Sequence, residues 1–249
     1  MASLIVLVHA PVLGPATWQP VATALSRAGH QVVVPSLTGF ADDGPPYAPR
    51  LIRMAASQMP AGPGDEVILV VHSGAGLFVP NLAVAAAAGS VAAVFVDAGL
   101  PRQSGPVTVV EPEFLPFVRE LADARSDGMV PPWPQWWPEE EISALFPDQP
   151  TRQAVIAEAC PTPLAFYQET LPPLAEGWPS CGAAYLVFSE PYRRQADVAA
   201  QAGWPVRELP GGHLHMLVRP AEVAGAITSL AARARAAGPA LSSLPAAPG

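Results

Sequence analysis

A serine at the end of an apolar run is the residue of this sequence best placed to act as a nucleophile. Val67 to Val71 has the length and β-branched content of a buried strand, and Ser73 follows it closely. The small residues at 74–76, Gly-Ala-Gly, allow a sharp strand-to-helix turn in which the serine backbone is strained and its hydroxyl stands above the sheet. We therefore predict that Ser73 is a nucleophile and that the N–H of Gly74 points to the reaction centre.

A serine hydroxyl is a weak nucleophile unless a base lies within hydrogen-bond reach. His213 is the candidate base, because it lies in a Gly-Gly-His turn between the last predicted strand and the last predicted helix. His215 is the alternative, and otherwise it contacts the substrate or another polar group. His72, beside the serine, is expected to support the site without reacting itself.

Alternating strand and helix patterns surround these residues. The predicted strands cover residues 4–8, 31–34, 67–71, 91–97, 183–188 and 206–209, and the main helices cover 18–28, 47–60, 77–88, 193–202 and 221–236. Such alternation predicts an α/β fold with a mostly parallel, doubly wound sheet and helices on both faces.

The stretch Val-His-Ser-Gly-Ala at 71–75 resembles the nucleophile elbow of the α/β-hydrolase fold, usually written Gly-x-Ser-x-Gly, with Val71 and Ala75 at the glycine positions. The loop around His213 resembles the catalytic-histidine loop of the same family. The resemblance extends over nearly the whole chain. It implies an enzyme that hydrolyses an ester, thioester or related acyl bond of a small hydrophobic molecule, without a cofactor or metal ion.

The resemblance leaves two candidates for the carboxylate that orients the histidine. The acid of such enzymes usually follows the strand after the cap, where Glu190 lies. Some relatives, the haloalkane dehalogenases among them, place it one strand earlier, and Asp97 with its following Ala-Gly-Leu-Pro resembles that site. We favour Glu190 slightly and keep Asp97 as the alternative.

The loop after the first strand departs from the family pattern. His9-Ala10 resembles the family's His-Gly, but the next residue, whose N–H usually binds the oxyanion, is Pro11, which has no N–H. Loss of such a donor costs about 2.7–4 kcal/mol of transition-state stabilisation. Either Val12 or a side chain supplies the missing donor, or the reaction has no ordinary tetrahedral oxyanion.

Two other functions remain open, and this departure motivates the first of them. The first is a non-hydrolytic biosynthetic enzyme of secondary metabolism, a lyase or cyclase, in which His213 performs acid–base chemistry on a substrate that Ser73 orients. The second is a ligand-binding protein with little turnover.

The strand and helix alternation breaks between residues 101 and 180, which resemble the cap that covers the active site in this family. We therefore predict a core at 1–100 and 181–236, a small helical cap at 101–180, and a mobile tail at 237–249, which is rich in Pro, Ala and Ser. Trp133, Trp136 and Trp137 form either the core of the cap or the aromatic wall of an apolar pocket.

The composition narrows the class of protein. The formal net charge is −8 over 249 residues and the 13 basic residues are dispersed arginines, which argues against a nucleic-acid surface. No apolar run approaches the ~18–20 residues of a membrane span. Cys160 and Cys181 fit neither a disulfide framework nor a metal site. Together with the absence of a basic segment before the first strand, the two thiols favour the cytoplasm.

Overall fold

A parallel sheet of six strands runs through the centre of the protein, in the order β2-β1-β3-β4-β7-β8. The computed structural model describes residues 3–102, 108–173, 181–241 and 244. Its strands are β1 Ser3–Val8, β2 Gln31–Val33, β3 Glu66–Ser73, β4 Ser90–Ala98, β5 Met129–Val130, β6 Thr162–Pro163, β7 Cys181–Val187 and β8 Val206–Glu208. Its α-helices are α1 Gln19–Arg27, α2 Tyr47–Ser57, α3 Val79–Ala85, α4 Leu115–Asp123, α5 Glu139–Ser143, α6 Gln149–Glu158, α7 Leu164–Tyr167, α8 Arg193–Gln201, α9 His215–Val218 and α10 Pro220–Ala237.

The strand order changes direction between β1 and β3. The chain leaves β1 through α1 towards β2, and it leaves β3 through α3 towards β4 on the other side. Because both crossovers are right-handed in such sheets, α1 and α3 lie on opposite faces. Helix α10 packs with α1, and α2 packs with α3. The predicted doubly wound sheet is confirmed, and the crevice at the carboxyl ends of β1 and β3 is where such folds bind ligands.

The central strands are buried because helices cover both of their faces. In β3 every residue from Val67 to His72 is buried, and in β4 every residue from Ala92 to Ala98 is buried. Continuous apolar runs of this kind, without alternation, are typical of parallel strands. Within the described residues, no helix combines the length and apolarity needed to cross a bilayer.

The inserted segment, 108–173, contains helices α4 to α7 and a two-stranded antiparallel ribbon of β5 and β6. Two of its carboxylates bind backbone N–H groups of the core. Glu169 accepts hydrogen bonds from Tyr47 N and Ala48 N, at the start of α2, and Glu158 accepts one of 2.7 Å from Ala16 N. Anions are favoured at helix N-termini, so the Glu169 contact stabilises α2 as it fixes the segment.

The start of the predicted tail, 237–249, packs against the core in the part that the structure describes. Helix α10 ends at Ala237, and the Ala240 N–H then donates to the Cys181 carbonyl at 2.9 Å. Leu241 and Leu244 are buried in the core, and the rest of the tail lies outside the described residues. The Pro, Ala and Ser content of this segment is typical of a linker, but its two leucines supply apolar surface that is buried.

Candidate active site

Ser73 stands at the carboxyl end of β3 in a strained backbone conformation. Its φ is 56° and its ψ is −130°, and a 3₁₀ turn, Gly74–Phe78, follows at once and leads into α3. A non-glycine residue at positive φ is uncommon and persists only where the surroundings enforce it. The strand-turn-helix context predicted for a nucleophile elbow is therefore present around Ser73.

The glycine that the turn requires is Gly76, one position after the second glycine of the usual motif. A Cβ at Gly76 would lie 2.1 Å from the Gly99 carbonyl oxygen and 3.0 Å from the Ala98 Cβ. The turn thus packs directly against the end of β4. At Ala75, which is buried, a methyl group is accommodated, so the motif tolerates this departure from glycine.

Asp97 lies at the end of β4, where the strand bulges. His72 pairs with Val96 and Ser73 pairs with Ala98, so Asp97 is the extra residue, and its φ is 43°. A bulge of this kind redirects the side chain of the extra residue. The Asp97 carboxylate is fully buried, and its Oδ2 lies 2.9 Å from His213 Nδ1.

The neighbouring strand supplies the other partners of this carboxylate. Asp97 Oδ1 accepts hydrogen bonds from Phe188 N at 2.7 Å and Ser189 N at 3.0 Å, and Oδ2 accepts one from the Ser189 hydroxyl. The donors around Asp97 reach both of its oxygens, so the buried carboxylate is held in a fixed orientation under the imidazole.

The structure places Glu190 away from His213 and contradicts our preference for it as the acid. Its side chain is 87% exposed, and its Oε2 lies 3.8 Å from Arg193 Nε. The two residues before it already bind Asp97 through their N–H groups, and Glu190 begins a 3₁₀ turn that directs its side chain to solvent. Of the two candidates, Asp97 is the carboxylate that contacts the imidazole.

His213 lies in the short loop between β8 and α9 and faces Ser73 across the crevice. Its side chain is 15% exposed, and its ring lies 6.0 Å from that of Trp133. The loop is closely packed, since a Cβ at Gly212 would lie 2.5 Å from Leu145 Cδ2. With Nδ1 on Asp97, the Nε2 atom is the one left to act as a base.

Two other histidines are buried and support the site from below. His72 Nε2 lies 3.0 Å from the His213 carbonyl oxygen and donates to it, and burial lowers the pKa of His72 well below its usual value. His9 Nδ1 donates to the Ala10 carbonyl oxygen at 2.8 Å, its Nε2 accepts from Leu37 N at 3.1 Å, and burial lowers its pKa to about 4. Both rings are neutral at pH 7, and their hydrogen bonds hold the neighbouring backbone groups in place.

His215 does not line the crevice. Its ring packs 5.4 Å from that of Phe188, and a Cβ at Gly211 would lie 2.2 Å from its Nδ1. Desolvation by burial lowers its pKa. Of the two histidines of this loop, His213 is the one that contacts Asp97 and lines the cavity.

The oxyanion side of the site is built by the turn after β1. Leu13 N donates to the Ala10 carbonyl at 2.9 Å, which places Pro11 and Val12 at the centre of a tight turn. A Cβ on Gly74 would lie 3.8 Å from Pro11 Cδ, so the proline ring adjoins the residue after the serine. Pro11, which has no N–H, therefore lies beside Gly74 in the wall of the cavity.

Tyr192 contacts both reactive side chains and was not predicted. Its hydroxyl oxygen lies 3.2 Å from Ser73 Oγ, and its ring stacks on His213 with centroids 4.9 Å apart and planes 2° from parallel. Among the described residues, no hydrogen bond joins Ser73 to His213. Burial raises the pKa of the Tyr192 hydroxyl above its usual range, so it is a neutral donor. In the sequence, Glu190 is the residue at 189–192 whose type indicates a catalytic role, and nothing there distinguishes Tyr192 from a structural tyrosine.

A cavity of about 620 Å³ opens above Ser73 and His213. Most of its wall is apolar and aromatic, and the inserted segment supplies much of it, including Phe114, Trp133, Trp136, Trp137, Ile142, Leu145, Phe166 and Tyr167. The three tryptophans thus line the cavity as well as pack in the segment. The Trp136 indole N–H donates to the Pro131 carbonyl at 2.7 Å, and the Trp137 ring stacks on Phe117 at 5.2 Å. The size suits a small organic molecule.

A polar pair lies in the mostly apolar wall of the cavity. Gln195 Nε2 donates to Glu111 Oε1 at 3.3 Å, and the buried Gln195 Oε1 has no hydrogen-bond partner in the structure. Both side chains line the cavity and were not predicted from the sequence. In the part of the chain that the structure describes, no group of three or more His, Cys, Asp or Glu side chains could hold a metal ion.

Comparison with known proteins extends these observations. A curated relative, the carbendazim hydrolyzing esterase of Nocardioides sp. (strain SG-4G), is 27% identical over 245 residues, which cover 90% of this chain and 98% of the relative. Among solved structures, an extracellular α/β-hydrolase from a Paenibacillus species has a TM-score of 0.67 at 19% identity and covers 92% of this chain and 99% of its own. A pyrethroid hydrolase from Sphingobium faniae JZ-2 has a TM-score of 0.64 at 19% identity, with 93% and 98% covered.

The family itself is defined by a match along most of the sequence. The model of the alpha/beta hydrolase family matches residues 5–226, from the first strand into the last helix. The matched range contains the strained serine, the buried aspartate and the histidine loop. This protein is therefore a member of the alpha/beta hydrolase family.

Proposed function

We propose that the protein is an esterase whose catalytic triad is Ser73, His213 and Asp97, and that it hydrolyses an ester, thioester or related acyl bond of a small hydrophobic molecule. The observation that carries this proposal is the buried Asp97–His213 pair beside a strained serine at the floor of an apolar cavity. The family match and the relative described as an esterase also support it.

The reaction follows from the roles of these groups. His213 Nε2 takes the proton of the Ser73 hydroxyl as Oγ attacks the carbonyl carbon, and Asp97 holds the imidazole in the tautomer that this requires. The Gly74 N–H stabilises the negative charge that develops on the carbonyl oxygen. His213 then returns the proton to the leaving alcohol or thiol, and water hydrolyses the acyl-enzyme by the same steps.

Labelling by a fluorophosphonate tests the proposal. We expect intact-protein mass spectrometry to show one adduct on the wild type, none on Ser73→Ala, and strongly slowed labelling of His213→Ala. Hydrolysis of p-nitrophenyl acetate, a small ester that a narrow cavity admits, is measured on the same samples. A wild type that neither forms the adduct nor hydrolyses the ester contradicts the proposal.

A second candidate is a non-hydrolytic biosynthetic enzyme on the same scaffold, and Pro11 is the observation that favours it. A weak oxyanion hole slows acyl transfer far more than proton transfer. If the protein is such a non-hydrolytic enzyme, we expect no esterase activity in the wild type. In that case we expect esterase activity to rise in Pro11→Gly, because this substitution restores a backbone N–H. If the protein is an esterase, we expect the wild type to hydrolyse esters.

We infer that the substrate is a small molecule and that the protein resides in the cytoplasm. The apolar, aromatic cavity wall supports the first inference. The two cysteines, Cys160 on the surface and Cys181 in the core, are free thiols, which supports a reducing compartment. The net charge of −8 argues against a nucleic-acid partner. Fractionation of the source cells tests the location.

A further inference from the structure

The hydroxyl of Tyr192 occupies the immediate surroundings of the nucleophile, where nothing in the triad accounts for it. Its oxygen lies 3.2 Å from Ser73 Oγ, and it lines the same cavity as Pro11 and Gly74. A tyrosine hydroxyl is both a donor and an acceptor. Such a group beside the reacting oxygen either takes part in the reaction or obstructs it.

The site also lacks a donor that acyl transfer needs. Gly74 supplies one N–H, and Pro11 supplies none. Removal of one oxyanion donor lowers kcat by about 10²–10³ in a serine hydrolase. An esterase with this loop therefore needs a second donor, which is either the N–H of Val12 or a side chain from another element.

We propose that Tyr192 is a catalytic residue that donates its O–H hydrogen bond to the tetrahedral oxyanion, in place of the N–H that Pro11 lacks. This inference rests on the proposed acyl hydrolysis. The oxyanion and Ser73 Oγ are bonded to the same carbon atom in the intermediate. A donor within hydrogen-bond distance of Oγ can therefore reach the oxyanion after a small rotation.

The step can be written with all atoms accounted for. Ser73 Oγ forms a bond to the carbonyl carbon and loses its proton to His213 Nε2, and the π electron pair of the C=O bond moves to the oxygen. The N–H of Gly74 and the O–H of Tyr192 donate to that oxygen without transferring their protons. When the intermediate collapses, the C=O bond re-forms and the leaving group departs with the proton from His213.

The surroundings of Tyr192 suit a fixed donor. The ring is stacked on His213, and its backbone belongs to the 3₁₀ turn Glu190–Tyr192, which follows the two residues that bind Asp97. The hydroxyl is therefore positioned by the same elements that position the base. Burial keeps it protonated, because its pKa is raised above the usual range.

Replacement of Tyr192 by phenylalanine removes the hydroxyl and keeps the stacked ring. With p-nitrophenyl acetate as the probe, we expect Tyr192→Phe to lower kcat by about 10²–10³ and to change KM by less than about threefold. Tyr47→Phe is the matched control, since Tyr47 is a buried tyrosine that lies outside the cavity wall. Its kcat is expected to stay within about twofold of the wild type.

Pro11→Gly distinguishes donation from a purely structural role. The restored N–H should raise the kcat of the Tyr192→Phe variant at least about tenfold, because it supplies a donor to the same oxygen. A boronic acid that forms a tetrahedral adduct with Ser73 should bind Tyr192→Phe about 10²-fold more weakly. The binding of the neutral product alcohol should be unchanged.

The outcomes separate this inference from the proposed function. A wild type without esterase activity and without a fluorophosphonate adduct removes the proposed function and this inference with it. An active wild type with Tyr192→Phe within about threefold of its kcat overturns this inference alone. A large loss in Tyr192→Phe with unchanged boronic acid affinity and no recovery by Pro11→Gly also overturns it, because a structural role would then explain the loss.

Discussion

At the scale of single residues, the position of the acid depends on which carboxylate the backbone directs to His213. Asp97 is the extra residue of a bulge and has a positive φ, so its side chain turns under the histidine. Glu190 lies one strand further on, and its side chain is exposed. Ser189, the residue before Glu190, donates its hydroxyl to Asp97.

Asp97→Asn should lower kcat by about 10⁴, because an amide can hold the imidazole in the wrong tautomer while the packing is kept. Glu190→Gln should leave kcat within about twofold, since an exposed ion pair contributes little. Hydrolysis of p-nitrophenyl acetate, with circular dichroism to verify folding, measures both variants. A large loss in Glu190→Gln with an active Asp97→Asn would assign the acid to Glu190.

At the scale of elements, the elbow is possible because β3 and β4 approach closely at their carboxyl ends. Gly99 N donates to the Ser73 carbonyl at 3.1 Å, and Gly76 contacts the Gly99 carbonyl without an intervening side chain. The strain at Ser73 is thus held by contacts with the neighbouring strand.

Gly76→Ala should destabilise the protein by about 3 kcal/mol, because its methyl group would lie 2.1 Å from a backbone oxygen that cannot move aside as a side chain can. Gly225→Ala is the matched control. Gly225 lies in α10 with nothing within 4 Å of its Cβ position, so alanine there should stabilise the protein by about 0.5–1 kcal/mol. Urea unfolding measures both. An unchanged urea midpoint for Gly76→Ala would show that the elbow can relax.

At the scale of the whole molecule, two neutral histidines in the core couple folding to pH. His9 and His72 are fully buried, and burial lowers the pKa of each. The pKa of His9 falls from 6.5 to about 4 on folding. Between these values the unfolded chain binds a proton that the folded protein does not, so stability decreases as pH falls from 6.5 towards 4.

His9→Gln should remove part of this acid sensitivity. For the wild type we expect a loss of free energy of unfolding between pH 7 and pH 4.5 that exceeds the loss in His9→Gln by about 2–3 kcal/mol. His30→Gln, at an exposed histidine, is the control and should keep the wild-type difference. Urea unfolding at the two pH values provides the comparison. Equal pH dependence in His9→Gln and the wild type would show that His9 is not the group responsible.

The sequence by itself determined the local elements and the order in which they follow one another. Ser73 was identified from its place between a buried apolar run and a Gly-Ala-Gly turn, and His213 from its turn before the last helix. Pro11 was recognised as a missing donor, because the absence of an N–H is a property of the residue type. These features depend on neighbours in the chain, so periodicity and residue type reveal them.

Only the tertiary structure decided which side chains from different strands meet. The choice of Asp97 over Glu190 depends on a bulge between β3 and β4, and the contact of Tyr192 with Ser73 joins residues 119 positions apart. The burial of Leu241 against the core likewise overrides a tail-like composition. Such contacts arise from the packing of whole elements. No short stretch of residues determines them, because the free energy that stabilises them comes from elements that are far apart in the sequence.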